Sequence, residues 1–136
     1  MKENVRILQI IHLAITLGTV LAYVFAGKID EKILNFDTKI LSGDSILFLL
    51  IPVVAIILSN FLYKSALGKI VSNQNENEKL MVLKSASIIR WAVLEGAAFA
   101  ILFLKPQFII FGLIIIIYLI FVRPTENSVK NDLKIN

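Results

Sequence analysis

Apolar residues gather in four blocks along the chain, Val5 to Ala26, Ile46 to Tyr63, Ile88 to Leu104 and Phe108 to Val122, and charged and amide residues crowd into the stretches between them. A hydrocarbon layer of roughly 30 Å takes about 20 helical residues to cross, with about 17 as a lower limit. The first two blocks meet that length and the third barely does. The fourth needs Pro106 and Gln107, or local thinning of the bilayer. Inside hydrocarbon every backbone N–H and C=O must be satisfied within its own segment or in a closed barrel, and runs such as IIIIYLIFV lack the alternation of a barrel strand. The pattern predicts an all-α, polytopic membrane four-helix bundle as one domain over 1–136, with spans of about 5–26, 46–63, 88–104 and 106–122 and a polar tail at 123–136.

The stretches between the blocks set the expected orientation. With four spans, both termini and the middle loop share one side, which holds Lys2, Arg6, Lys64, Lys69, Lys79, Lys84, Arg123, Lys130 and Lys134; the other side holds only Lys28, Lys32, Lys39 and Lys105. An excess of Lys and Arg marks the cytoplasmic face, so the expectation is a protein of the cytoplasmic (inner) membrane with N-in/C-in topology. Two antiparallel hairpins are then joined by a cytoplasmic helical extension between helices 2 and 3. Lys2 and Arg6 ahead of an apolar run ending in VFAG also resemble a secretory signal, but the run exceeds a typical signal core, so the first helix is expected to stay.

Local signals fill in the connections. Ile29, Ile33, Phe36 and Ile40 share helical spacing, so residues 28–41 form either a short amphipathic helix on the outer surface or a loop over the bundle mouth. Ser42, Gly43 and Asp44 make a turn, with Asp44 or Ser45 placed to cap helix 2. SNQNENE at Ser72 to Glu78 breaks the middle, and Glu76 and Glu78 suit the positive end of the next helix. Pro106 fits a first helical position, making helices 3 and 4 antiparallel neighbours. The tail forms a short surface helix from Thr125 or remains mobile.

Composition narrows the chemistry. A hydrophobic content of 57% and a mean hydropathy of +0.81 exceed what a soluble core uses. The absence of cysteine excludes disulfides and thiolate metal sites. The net charge of +4 is spread over short loops without an aromatic-interleaved patch, which does not suggest nucleic acid. One histidine and scarce carboxylates predict no metal, no other cofactor follows, and no nucleophile–base set or phosphate loop suggests an enzyme.

The polar residues inside the spans are the candidate site. Gln9, His12, Thr16, Thr19 and Tyr23 form one narrow stripe on helix 1, which should face protein because an unpaired amide or imidazole is costly in hydrocarbon. Ala92, Gly96 and Ala100 form a small-xxx-small face on helix 3 that lets another helix approach closely. Arg90 and Glu95 point about 140° apart at roughly 100° per residue, and lie about 9 Å and 16 Å past Lys84 at a rise of roughly 1.5 Å. Arg90 can therefore snorkel to headgroups, whereas Glu95 is tolerable only with a hydrogen-bonding partner or in its protonated form. The candidate ion or ligand cluster is Glu95 with Arg90, His12, Asn60, Gln9 and Thr16, joined by Ser59. Against it stand packing roles for Glu95 and His12, interfacial anchoring for Arg90, and interface or packing roles for Tyr63, Trp91 and Tyr118.

SNFLYK, IIRWAVLEGAA and RPTENSVKNDL together resemble a group of small bacterial four-span membrane proteins with an Arg-x4-Glu-Gly element in the third helix; the matching positions are Arg90, Glu95, Gly96, Arg123 and Pro124. That resemblance implies the fold and no activity. A narrower likeness links AVLEGAAFAI to the acidic helix of rotary ATPase proteolipid subunits, where a membrane carboxylate binds and releases the transported ion, and it carries over Glu95 alone. Helix 2 here, ILFLLIPVVAIILS, lacks the glycines of their packing helix. The expected function is a non-enzymatic accessory, assembly or small-ligand-binding component of the inner membrane, with lipid and a homo-oligomer or larger membrane complex as partners. The alternative is a proton- or cation-handling component that uses Glu95.

Overall fold

A computed structural model describes residues 1–36 and 38–133, and the described residues are helical apart from turns. Helix α1 is Lys2–Phe25. After a left-handed Lys28 (φ 50°), the short α2 is Ile29–Leu34. A 3-10 stretch, Gly43–Leu49, leads into α3, Leu50–Leu67. Helix α4 runs unbroken over Glu76–Leu104. A 3-10 turn, Pro106–Phe108, opens α5, Ile109–Phe121, and α6 is Glu126–Leu133. Three helical stretches are long and apolar enough to cross a membrane: α1, Gly43–Leu67 and α4. Pro106–Phe121 makes a fourth when counted with α6, from which it is bent by 82°.

The boundaries have local causes. Asn75 caps α4 by accepting from the Glu78 N–H at 2.9 Å, while the Glu78 carboxylate accepts from the Asn75 N–H at 3.1 Å. This reciprocal box satisfies donors the first turn cannot pair itself. Helix α5 stops before Arg123–Pro124 because the residue preceding a proline is pushed out of helical geometry. The chain then restarts through Thr125 and Ser128, whose hydroxyls accept from each other's backbone N–H at 3.1 and 3.0 Å.

Of the two alternatives for residues 28–41 the single helix is not formed, and the expected cap of helix 2 changes. The stripe over residues 28–41 does not become one helix: α2 ends after six residues, Ile29 is buried, and Ile33 and Phe36 are exposed. Asp37 and the side chain of Ile40 lie outside the described residues, as does Lys134 in the tail. Neither Asp44 nor Ser45 caps helix 2. Ser42 holds the cap position but its hydroxyl donates back to the Lys39 carbonyl at 3.0 Å and does not cap the helix, and Gly43 takes the left-handed turn (φ 63°) that a side chain would resist.

α4 is the central helix and packs against α1, α3 and α5. Its inward residues Trp91, Leu94, Ala98 and Ile101 are almost fully covered, together with Leu8 of α1 and Ile115 and Leu119 of α5. Tyr23 fastens the middle by donating its hydroxyl to the Ala98 carbonyl at 2.6 Å. Its ring lies so close to Gly112 that a Cβ there would collide with it. The outward faces are the reverse of a soluble protein's, with Leu13, Leu17, Val54, Ile57, Ile114 and Ile117 all exposed. Apolar surface on this scale is stable against hydrocarbon and not against water.

Candidate functional site

Contacts between the helices set relative heights. The His12 ring lies 5.0 Å from that of Trp91, and Tyr23 reaches Ala98, so α1 and α4 run in the same direction. The N-terminal ammonium is 3.8 Å from Glu76, and Gln9 bonds to Pro124. The start of α1, the start of α4 and the exit from α5 therefore meet at one end, here called the Met1 end.

At that end α4 turns Arg90 inward. One Nη donates to Asn60 Oδ1 of α3 at 2.8 Å and approaches the Tyr118 hydroxyl of α5 at 3.3 Å, while Asn60 Nδ2 donates to the same hydroxyl at 2.5 Å. The guanidinium sits over the Tyr63 ring, 4.5 Å from its centroid, a cation–π arrangement. Tyr63 donates in turn to Asp132 of α6 at 2.5 Å. Four helices thus meet through one chain of polar groups. A cavity of about 50 Å³ beside it is lined in part by Ser87, Arg90, Ser128 and Asp132, and Arg90 Nε is buried without a hydrogen-bond partner among the described residues. Arg90 therefore belongs to a polar network; it does not anchor the helix by snorkelling.

His12 and Gln9 do separate work, between α1 and α5. Nε2 of His12 lies 2.7 Å from the Leu119 carbonyl, and a carbonyl only accepts, so Nε2 carries the proton. Thr16 Oγ1 stands 3.5 Å from that nitrogen. Gln9 Nε2 donates to the Pro124 carbonyl at 3.0 Å. Leu119 and Pro124 lie where α5 ends and helical partners for carbonyls run out, so these side chains finish the helix. Of the predicted stripe on α1, His12, Thr16, Thr19 and Tyr23 are buried as expected, while Gln9 is exposed yet bonded.

The expected cluster around Glu95 does not assemble. Arg90 and Asn60 form one group, and His12, Thr16 and Gln9 another on the far side of Trp91. Among the described residues Ser59 bonds only within its own helix, to the Ile56 carbonyl at 2.8 Å. Glu95 joins neither group: half-buried, it has no hydrogen bond or ion pair among the described residues. The cause is angular, since α4 directs Arg90 toward α3 and α5, and a residue about 140° away points elsewhere. The packing role expected of Ala92, Gly96 and Ala100 also fails within the chain. All three are exposed, and a Cβ on Gly96 would meet nothing within 4 Å.

Sequence reasoning missed Tyr63, Tyr118 and Asp132 as members of the network. The tyrosines read as interface aromatics, and Asp132 looked like part of a polar tail. One signal was present: Val129 and Leu133 form an i, i+4 apolar pair after the Thr125 cap, and both are 2% exposed, docking α6 and with it Asp132.

Comparison with family models, with curated proteins and with solved structures gives no match.

Proposed function

We propose that this chain is a non-enzymatic accessory or assembly component of a membrane complex, and that the outward face of α4 receives a helix of another membrane protein. The observation that carries the reading is Glu95, a carboxyl about 16 Å past Lys84 at roughly 1.5 Å per residue, with no partner among the described residues and bordering the exposed Ala92, Gly96 and Ala100. An ionisable group at that depth is costly until it is paired, and small residues let a second backbone come close. The partner helix carries a Lys, Arg or other strong donor near mid-membrane. A second copy of this chain offers little in its place, because the outward residues at that height on α1, α3 and α5 include Leu13, Leu17, Val54, Ile57, Ile114 and Ile117.

The reading includes a four-helix bundle in the inner membrane with both termini cytoplasmic, supported by the Lys and Arg asymmetry of the loops. It also keeps the likeness to small bacterial four-span proteins as part of the proposal.

The test places a photo-crosslinking residue at Ala92 or Ala100 in the full chain in cell membranes, with Leu17 and Ile57 as controls. A discrete adduct from α4 alone is expected, containing a protein with a cationic residue inside a transmembrane segment, and lost on Gly96→Leu or Glu95→Leu. An adduct only with a second copy of the chain, or none, overturns the reading. The alternative, proton or cation handling by Glu95, draws on the same unpartnered carboxyl. It predicts that Glu95→Gln abolishes ion flux in proteoliposomes of the purified chain, whereas docking predicts weakened but persistent adducts.

A further inference from the structure

A groove of about 510 Å³ opens between α1 and α5 at the Met1 end, lined by Gln9, His12, Leu13, Thr16, Ile120 and Arg123. It lies on a different face from Glu95, which borders the outward side of α4, so it is independent of the docking surface. Its lining is graded. Arg123 marks the mouth, beyond the last turn of α5; Gln9 and His12 follow, and Thr16 lies one turn deeper on α1, with Leu13 and Ile120 as apolar walls. Arg6, Gln9 and Leu13 fall at i, i+3 and i+7, which places the exposed Arg6 on the same side of α1 a turn nearer the mouth.

We infer that this groove binds an anionic glycerophospholipid, its headgroup phosphate held between Arg6 and Arg123 and one acyl chain lying against Leu13 and Ile120. The argument is complementarity of charge and polarity along one direction. A cationic mouth matches a phosphate, the amide, imidazole and hydroxyl match the depth of the ester linkages, and the apolar walls match the chain. Because α5 ends at Phe121 and the chain bends away into α6, the groove is open to the level at which headgroups lie. Basic residues at a membrane surface favour anionic over zwitterionic lipid, and an acyl chain adds affinity that a free anion lacks.

The experiment uses the purified full chain in detergent and reads bound lipid by native mass spectrometry, with thermal unfolding as a second readout. Phosphatidylglycerol is expected to remain bound at one molecule per chain and to raise the unfolding temperature, while phosphatidylcholine and inorganic phosphate do neither. Arg6→Gln and Arg123→Gln should each weaken phosphatidylglycerol retention about fivefold, and Lys28→Gln and Lys32→Gln at the opposite end should not. Both arginines are exposed, so their replacement leaves the packing intact. Leu13→Trp, which fills the groove from an exposed position, should displace the lipid without lowering the unfolding temperature of lipid-free protein. Equal retention of phosphatidylcholine, an equal shift with inorganic phosphate alone, or retention untouched by all three groove variants would each overturn the inference.

Discussion

Arg90 and Glu95 occupy the same helix five residues apart, and their surroundings could hardly differ more. Around Arg90 the chain supplies Asn60, Tyr118 and the Tyr63 ring from two other helices, with Asp132 behind them. Glu95 is half-buried with no hydrogen bond or ion pair among the described residues, and the neighbouring Ala92, Gly96 and Ala100 are exposed. The first arrangement is what a protein builds when a polar group serves its own fold, since an unmade bond to a charged group in low dielectric is expensive. The second contributes no hydrogen bond to the fold among the described residues. The contrast shows that α4 has one side bonded to the rest of this chain and one side, carrying Glu95, that is not; the proposed docking helix rests on that difference.

The contrast breaks most readily at Arg90. Arg90→Ala removes the donor shared by Asn60 and Tyr118 and the cation over Tyr63, and should cost about 3 kcal/mol of stability. Chemical unfolding in mixed micelles measures it. A cost within experimental error of wild type would mean that the network does not hold the Met1 end together, and the distinction between the two sides of α4 would lose its basis.

The glycines sharpen the same comparison. A Cβ at Gly112 would strike the Tyr23 ring, whereas one at Gly96 meets no atom within 4 Å. Gly112→Ala should therefore destabilise the chain by about 1–3 kcal/mol through overpacking, and Gly96→Ala or Gly96→Leu should stay within about 0.5 kcal/mol. The pair separates fold from association: unfolding of the isolated chain should register only Gly112→Ala, and crosslinking in membranes should register Gly96→Leu. If both glycines prove equally costly to the isolated chain, the outward face of α4 is not free.

Glu95→Leu is the sharper form of that test. Replacing an unpartnered carboxyl by an apolar side chain in lipid should leave the isolated chain at least as stable as wild type, within about 0.5 kcal/mol on the lower side. A clear loss of stability would show that Glu95 is held from within.

How far these differences could be read from the residues depends on what each rests on. The helical stretches long enough to span follow from apolar runs, and the start of α4 near Glu76 from the break at SNQNENE, so both were legible, while the Asn75 cap itself came from the structure. The buried stripe of α1 was legible for the same reason, because periodicity records which side of a helix faces protein. The partition of polar residues was not. Counting residues inward from Arg6, Lys64 and Lys84 puts His12, Asn60 and Arg90 within a few turns of one end, but depth says nothing about rotation between helices, and rotation put Trp91 between the two groups. Gly96 shows the limit most plainly: a small-xxx-small face announces that a helix can come close without saying whose helix it is. Asp132 was out of reach because its partner, Tyr63, is 69 residues away in sequence.

The smallest effect concerns α6, which brings Asp132 to Tyr63 and so bounds the partnered side of the comparison. Lys130 lies 3.1 Å from Glu126, one turn away, and its ammonium holds the Glu126 carboxyl below its ordinary value of 4.5, with Lys2 and the N-terminal ammonium adding to the pull. A carboxylate whose pKa is lowered by folding supports the folded form above its unfolded pKa and loses that support as pH falls through the folded value. Amide hydrogen exchange in α6 should therefore quicken as pH drops below about 4.5, after correction for the intrinsic pH dependence of exchange. Lys130→Gln should remove the part of this change that comes from the pair and leave amides around Trp91 and Leu94 unaffected. Both side chains of the pair are more than a third exposed, so the change should be confined to α6. If α4 amides loosen with it, the attachment of α6 through Tyr63 and Asp132 supports the whole Met1 end, and the partnered side of α4 extends further than the Arg90 network.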